Sequence, residues 1–322
     1  MTERPTAQTI RQARERLSGM IHHTPLVASQ SLSSLVGADL RLKPENLQVT
    51  GSFKIRGALN KVAAVRQSEP TVQTVVTASS GNHGQAVAWA ARHFGLSAHV
   101  VVPKTAPAIK VAAARAFGAD VEFCGTRSRE RLDRARELAR INGYVFIPPY
   151  DDPAIMSGQG TIGLEILDEW PDVDVVVAPI GGGGLISGIA TAIKETRPHV
   201  RVIGVEPTGA AKAWQSRRSA RRVELPTTES IADGLITLSL GHLTHPIIEQ
   251  YVDDLVTVSD EEIKEAFWLL LTRTKLVVEP SGAVSVAALL SRRLVLDPKT
   301  RVVAVLSGGN VDPAVVSTLS AH

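Results

Sequence analysis

A chain of 322 residues with 44% apolar content is long enough for two modest domains with buried cores. Aromatic residues are scarce at 4% while Ala, Val and Leu abound, a composition suited to parallel strands covered by helices. The formal net charge of +3 is too small to argue for nucleic acid, and the lone Cys124 excludes an internal disulfide and a multi-cysteine zinc site.

The start Met1-Thr2-Glu3-Arg4-Pro5 is polar and no apolar run approaches membrane-spanning length, so a soluble, cytoplasmic protein without membrane partners is expected. A first helix is predicted over 9–20. Next comes Gly51-Ser52-Phe53-Lys54-Ile55-Arg56-Gly57-Ala58, after the turn-prone run Glu45-Asn46-Leu47-Gln48-Val49-Thr50. A lysine between small and aromatic neighbours loses hydration, which disfavours its charged form and makes it a candidate amine nucleophile. Read alone, Lys54 is more often a solvated surface charge, and it is the motifs that follow which change that reading.

A short strand at Val75-Val76 leads into Thr77-Ala78-Ser79-Ser80-Gly81-Asn82-His83-Gly84, followed by the helical pattern Ala86-Val87-Ala88-Trp89-Ala90-Ala91. A strand turning through Ser, Ser, Gly and Asn into a helix aims backbone N–H groups at one spot, which suits a carboxylate. An ordinary helix start capped by Ser or Asn is the other reading. Strands over 98–102 and 121–123 and a helix over 128–141 follow. The basic clusters at 127–140 and at Arg217, Arg218, Arg221 and Arg222 lack interleaved aromatics and read as solvated helix faces.

A strand over 173–178 ends in Gly181-Gly182-Gly183-Gly184-Leu185. Four glycines at a strand's carboxyl end permit close backbone approach and positive φ, as a phosphate cradle requires. No Gly-Lys-Ser/Thr follows, and no Gly-x-Gly-x-x-Gly fingerprint with a later acidic residue is present, so the loop is not a nucleotide motif. Further helices are predicted over 189–195, 260–272 and 283–290, with strands over 202–205 and 302–306. The last strand closes on Ser307-Gly308-Gly309-Asn310. Alternating strands and helices indicate an α/β fold with parallel sheets, whose ligands sit at the carboxyl ends of strands.

A desolvated lysine, a carboxylate nest, a phosphate cradle and a terminal serine are together what a pyridoxal phosphate enzyme needs. Gly51-Ser52-Phe53-Lys54, Ser79-Ser80-Gly81-Asn82-His83-Gly84, Gly181-Gly182-Gly183-Gly184-Leu185 and Ser307-Gly308-Gly309-Asn310 resemble the fold type II serine/threonine dehydratases and serine racemases. The resemblance runs from about Ile21-His22-His23-Thr24-Pro25-Leu26 to Val311-Asp312. It implies two open parallel-sheet α/β domains of the tryptophan synthase β type with the cofactor between them. Residues 1–74 and 149–322 would form the large domain and 75–148 the inserted small one.

The resemblance also implies roles. Lys54 would be the Schiff-base lysine and the general base at Cα. Phe53 would pack near the cofactor ring, Asn82 would reach its 3-hydroxyl, and Gly181, Gly182, Gly183, Gly184 and Leu185 would hold its phosphate. Ser79, Ser80, Gly81, Asn82 and His83 would hold the substrate carboxylate. Glu279 would face the cofactor, Gly234 in Ala232-Asp233-Gly234 would line the floor, and Tyr150 would shape the side-chain pocket. Ser307, unlike an aspartate, does not hold a proton on the pyridine nitrogen, which favours prompt loss of a β-substituent.

The implied activity is that of a catabolic-type L-threonine/L-serine ammonia-lyase acting as a homodimer. The chain ends soon after Ser307, so no regulatory domain and no feedback by isoleucine are expected. A serine racemase using Ser80 on the opposite face of the cofactor, a dehydratase of 3-hydroxyaspartate, and a silent pyridoxal phosphate-binding protein are the alternatives. Metal-dependent members bind Mg²⁺ or Ca²⁺ in the segment matching Glu206 to Lys212. Here Lys212 stands at the aspartate position, and a cation cannot ligate a hard metal ion. No metal is expected; the lysine either pairs with Glu206 or lies exposed on a helix.

Overall fold

The computed structural model describes residues 4–79, 81–106, 108–126 and 128–319. The chain begins with α1 (Ala7–Leu17), β1 (Val27–Ala28), α2 (Gln30–Val36), β2 (Asp39–Pro44) and α3 (Lys54–Ser68). It continues through β3 (Thr74–Ala78), α4 (Asn82–His93), β4 (Ser97–Val102), α5 (Ala108–Ala116), β5 (Ala119–Phe123), α6 (Ser128–Asn142) and β6 (Val145–Phe146). Then come α7 (Pro153–Glu169), β7 (Val175–Pro179), α8 (Gly184–Lys194), β8 (Arg201–Pro207), α9 (Lys212–Ser219) and α10 (Thr244–Tyr251). The last elements are β9 (Asp254–Val258), α11 (Asp260–Leu269), α12 (Pro280–Leu290), β10 (Arg301–Leu306) and α13 (Pro313–Thr318). Among these, no helix is long and apolar enough to cross a membrane.

The strands form two sheets, a six-stranded one ordered β1-β2-β10-β7-β8-β9 and a four-stranded one ordered β5-β4-β3-β6. All pairings are parallel except β1 with β2. Side chains alternate across a strand, so the centre of the larger sheet feeds two cores. Val175 and Val177 pack with α11 and α12, whereas Val176 and Ala178 pack with α7 and α8. The smaller sheet buries Val75 and Val100 against α3 and α4, and Val76 and Val101 against α6. Each buried Val or Leu contributes about 1.5–3 kcal/mol of transfer free energy.

The expected α/β fold with parallel sheets is present. Several boundaries move for local reasons. The first helix stops at Leu17 rather than residue 20, because Ser18 leaves helical geometry with ψ 131° and Gly19 follows with a left-handed φ of 75°. The helix expected to 272 leaves α geometry at Leu269, passes through a π turn over Leu270–Thr274, and ends on Lys275 with φ 63°. The strand expected from 173 begins at Val175.

Two long helices, α3 and α7, were not expected over their lengths. Most of α7, from Ile155 to Leu167, is buried, so it has no polar stripe to give a 3.6-residue signal. Its glycines let three helices touch at backbone distance. A Cβ on Gly158 would lie 2.4 Å from the Arg56 carbonyl of α3, and one on Gly188 of α8 would lie 2.2 Å from the Met156 carbonyl. This contact fixes the start of α3, and with it Lys54, against the centre of the large sheet.

Candidate active site

Because β2, β10 and β7 run parallel as neighbours, their carboxyl ends open on the same edge. Lys54 opens α3 soon after β2, the glycine loop follows β7, and Ser307 follows β10. Short bonds stitch these segments together. The Phe53 N–H donates to the Ser307 carbonyl at 3.0 Å, and the Glu279 N–H donates to the Gly308 carbonyl at 3.0 Å. The four-stranded sheet reaches the same place through α4: Asn82 Nδ2 donates to Glu279 Oε1 at 2.7 Å, and Asn310 Nδ2 donates to Asn82 Oδ1 at 2.8 Å.

Lys54 Nζ donates to the Pro149 carbonyl at 2.8 Å and lies 5.1 Å from the centre of the Phe53 ring. Burial lowers its pKa from 10.5 to about 8, against the opposing pull of the Glu279 carboxylate. Glu279 itself is raised to about 7, first by burial and then by the negative charge of Asp233, with Lys110, Asn82 and Lys54 opposing. His83 is lowered to about 3 by burial and then by Lys54. Its Nε2 lies 3.1 Å from the Ile147 carbonyl. A carbonyl only accepts, so Nε2 carries the hydrogen and the ring is neutral.

The glycine loop is shaped by what surrounds it. Gly183 sits at φ 98°, a conformation that side-chain-bearing residues rarely adopt, and α8 begins there without a side-chain cap. A Cβ on Gly182 would lie 2.3 Å from the Tyr150 ring, and one on Gly184 2.9 Å from Tyr150 Cβ. The Gly182 carbonyl is held from below by Thr244 Oγ1 at 2.7 Å and the Gly241 N–H at 3.2 Å. Those two donors satisfy the Gly182 carbonyl. A Cβ on Gly181 would meet the Gly234 carbonyl at 3.1 Å, so the 233–235 turn abuts the loop. These are close backbone approaches beside a helix start without a side-chain cap, as an anionic phosphate needs.

At the start of α4, Ser79 Oγ accepts from the Gly81 N–H at 3.2 Å, and no side chain caps the helix. Ser80 lies outside the described residues. Ser307 is buried, and its hydroxyl donates to the Ser281 carbonyl at 3.3 Å. The described residues read from the sequence therefore gather around one cleft between the two sheets. The sequence reading missed Thr244 and Asp151, which organise the underside of the glycine loop. Asp151 accepts from the N–H groups of His242, Leu243 and Thr244. The only local signal for them was the turn Gly241-His242-Leu243-Thr244. Also missed was the ion pair of Lys110 on α5 with Asp233, which bridges the two sheets across the cleft.

The lysine amine, glycine cradle and uncapped helix starts fit a phosphorylated aldehyde cofactor. Residues 17–308 match the family model described as "Pyridoxal-phosphate dependent enzyme". The chain is 46% identical over 310 residues to the L-threonine ammonia-lyase of Geobacter sulfurreducens, covering 96% of this chain and 77% of that protein. It is 42% identical over 312 residues to the catabolic L-threonine dehydratase of Escherichia coli K12, covering 96% and 94%. Among solved structures, maize serine racemase superposes with a TM-score of 0.94 at 38% identity, covering 98% of this chain and 97% of that one.

Proposed function

The chain belongs to the pyridoxal-phosphate-dependent enzyme family, and from that premise we propose that it is an L-threonine/L-serine ammonia-lyase. The observation that carries the reading is the convergence of the Lys54 amine, the glycine loop and the neutral Ser307 hydroxyl on one cleft. The names of the relatives similar to it favour the same activity.

Pyridoxal phosphate, when bound, supplies an electron sink that acidifies the Cα–H of an amino acid. Lys54 would hold it through its amine, with Phe53 and Asn82 beside the ring, residues 181–185 at the phosphate, and Glu279 and Ser307 along its inner edge. With a pKa of about 8, the Lys54 amine is neutral in about a tenth of the molecules at pH 7. In that form Nζ takes the Cα proton. Ser79, Ser80, Gly81, Asn82 and His83 orient the substrate carboxylate, supported by the uncapped start of α4 and its positive dipole end. Neutral His83 adds no competing charge. Tyr150 would shape the side-chain pocket and Gly234 would line the floor. Loss of the Cα proton and β-hydroxyl removes water, and hydrolysis of the resulting enamine gives 2-oxobutanoate from threonine, or pyruvate from serine, with ammonia.

The division into a large domain (1–74 and 149–322) and a small domain (75–148) is part of this proposal, supported by the partition of strands between sheets. So are a cytoplasmic location and a homodimer. Exposed Leu47 and Val277, neighbours through the 3.0 Å bond from Asn46 Nδ2 to the Val277 carbonyl, offer apolar surface for a second copy. Light scattering in solution tests the dimer.

The likeness to maize serine racemase favours racemisation as a second reading, with Ser80 returning a proton to the face opposite Lys54. One incubation of L-serine separates the two: an excess of pyruvate supports the lyase, and an excess of D-serine overturns it. A panel extended to L-threonine and 3-hydroxyaspartate ranks the substrates. A protein that takes up pyridoxal phosphate but forms no 2-oxo acid would be a silent binder.

A further inference from the structure

Lys212 is a fully buried cation that the proposed reaction does not use. It opens α9, and its Nζ lies 3.2 Å from Glu206 Oε1 at the end of β8. The same nitrogen donates to the carbonyls of Leu235 at 2.9 Å, Ala210 at 3.0 Å and Ile180 at 3.2 Å. Glu206 is also fully buried and accepts from the N–H groups of Ala213 and Trp214, each at 2.9 Å. An ammonium has three N–H donors and no acceptor. Here it is the common partner of three backbone oxygens and a carboxylate from three separate segments, residues 206–210, Ile180 and Leu235.

Two of those segments belong to the cleft. Ile180 immediately precedes Gly181, and Leu235 immediately follows Gly234. The Gly234 carbonyl and Leu235 Cα lie 3.1 and 3.5 Å from where a Gly181 Cβ would be. Without the cation, three carbonyls and a carboxylate would point at one another in a space closed to water, and such an arrangement would splay apart.

We propose that Lys212 is a positioning residue for the phosphate cradle: its tethered ammonium fixes the Ile180 carbonyl against the 233–235 turn, and so sets the entry of the glycine loop. The proposal rests on the reading of residues 181–185 as the cradle. It carries a chemical corollary. Lys212→Ala leaves a slot lined by oxygens and as long as the missing three carbons and nitrogen, which n-propylammonium fits.

The test uses cofactor-stripped protein, with inorganic phosphate as the probe of the cradle, so that no amine reacts with the aldehyde. Phosphate affinity is followed by thermal shift and by the fluorescence of Trp214, whose backbone N–H donates to Glu206. Lys212→Ala should bind phosphate at least about tenfold more weakly. Added n-propylammonium should restore binding saturably, whereas sodium at equal ionic strength should not. Lys212→Met fills the slot without charge and should not be rescued. Should the single variants fail to fold, Lys212→Met with Glu206→Gln removes both buried charges together, and it should fold yet still bind phosphate weakly. Wild-type phosphate affinity in that double variant, or a folded Lys212→Ala that n-propylammonium leaves unchanged, would overturn the role of Lys212. A wild-type protein indifferent to phosphate would instead overturn the cradle reading on which the proposal stands.

Discussion

The most exacting consequence of the cleft's electrostatics concerns how fast the cofactor-free protein captures pyridoxal phosphate at each pH. Only a neutral amine attacks the aldehyde. Burial lowers Lys54 from 10.5 to about 8, a difference of about 3.4 kcal/mol between its protonation states. At pH 7 the neutral fraction is then about a tenth, against about one in three thousand for an ordinary lysine, an advantage of about 300-fold. Capture should therefore rise about tenfold per pH unit up to pH 8 and level off above it. The cofactor's own phosphate loses its second proton near pH 6, so measurements should start above that.

Glu279 modifies the curve in a way that fixes the sign of a second measurement. Its pKa of about 7 means that its carboxylate forms within the same range, and a carboxylate favours the Lys54 ammonium. The wild-type rise should be flatter than a single titration. Glu279→Gln removes the negative charge, so the midpoint should fall and capture at pH 7 should accelerate. Stopped-flow absorbance of cofactor-stripped protein mixed with pyridoxal phosphate reads both rates directly. A midpoint near 10 would refute the buried amine, and an upward shift in Glu279→Gln would refute the assigned coupling.

Other outcomes follow from single positions. Lys54→Ala should leave no borohydride-reducible cofactor adduct, and a reducible adduct on a different lysine would displace Lys54 from its role. Gly183→Ala places a Cβ at φ 98° and 2.8 Å from Thr244, so it should cost about 2 kcal/mol or more of stability by chemical denaturation and weaken phosphate binding. An unchanged variant would mean that the loop adapts freely. Since the Lys212 ammonium occupies the oxygen cluster of Glu206 and Ala210, EDTA should leave activity and melting temperature unchanged. A loss restored by Mg²⁺ or Ca²⁺ would mean that other residues bind a metal.

How much of this was legible in the sequence depended on whether a feature is contiguous. The string around Lys54, the glycine tetrad and Ser307-Gly308-Gly309-Asn310 could be read directly, because each follows a strand and carries its own punctuation of small residues. The length of α3 and α7 could not. Burial on all sides erases periodicity, and glycines at helix crossings look like breakers when they are contact points. Partnerships assembled from distant segments were also hidden. Thr244 beneath the Gly182 carbonyl is 62 residues away in the chain, and Asp151 caps residues more than 90 positions later. The sequence left Lys212 divided between pairing with Glu206 and exposure on a helix. Its burial among three segments is a property of the packed chain.

Helix capping varies across the molecule: Asp152 caps α7, while α9 and α10 take no cap from their own N-cap residues. Away from the cleft, Thr6, Ser29, Ser259 and Asp312 cap α1, α2, α11 and α13 with side-chain oxygens, as ordinary stability favours. The helices opening onto the cleft do otherwise: α3, α4, α8 and α12 begin at Phe53, Gly81, Gly183 and Glu279 with no side-chain cap bond. Each forgoes about 1 kcal/mol of side-chain capping and keeps the positive end of its dipole free of a side-chain acceptor. A neutral substrate would gain little from that arrangement, whereas a phosphate and a carboxylate supply the missing acceptors. A positive helix end also disfavours a nearby ammonium, in the same direction as the burial that lowers the Lys54 pKa.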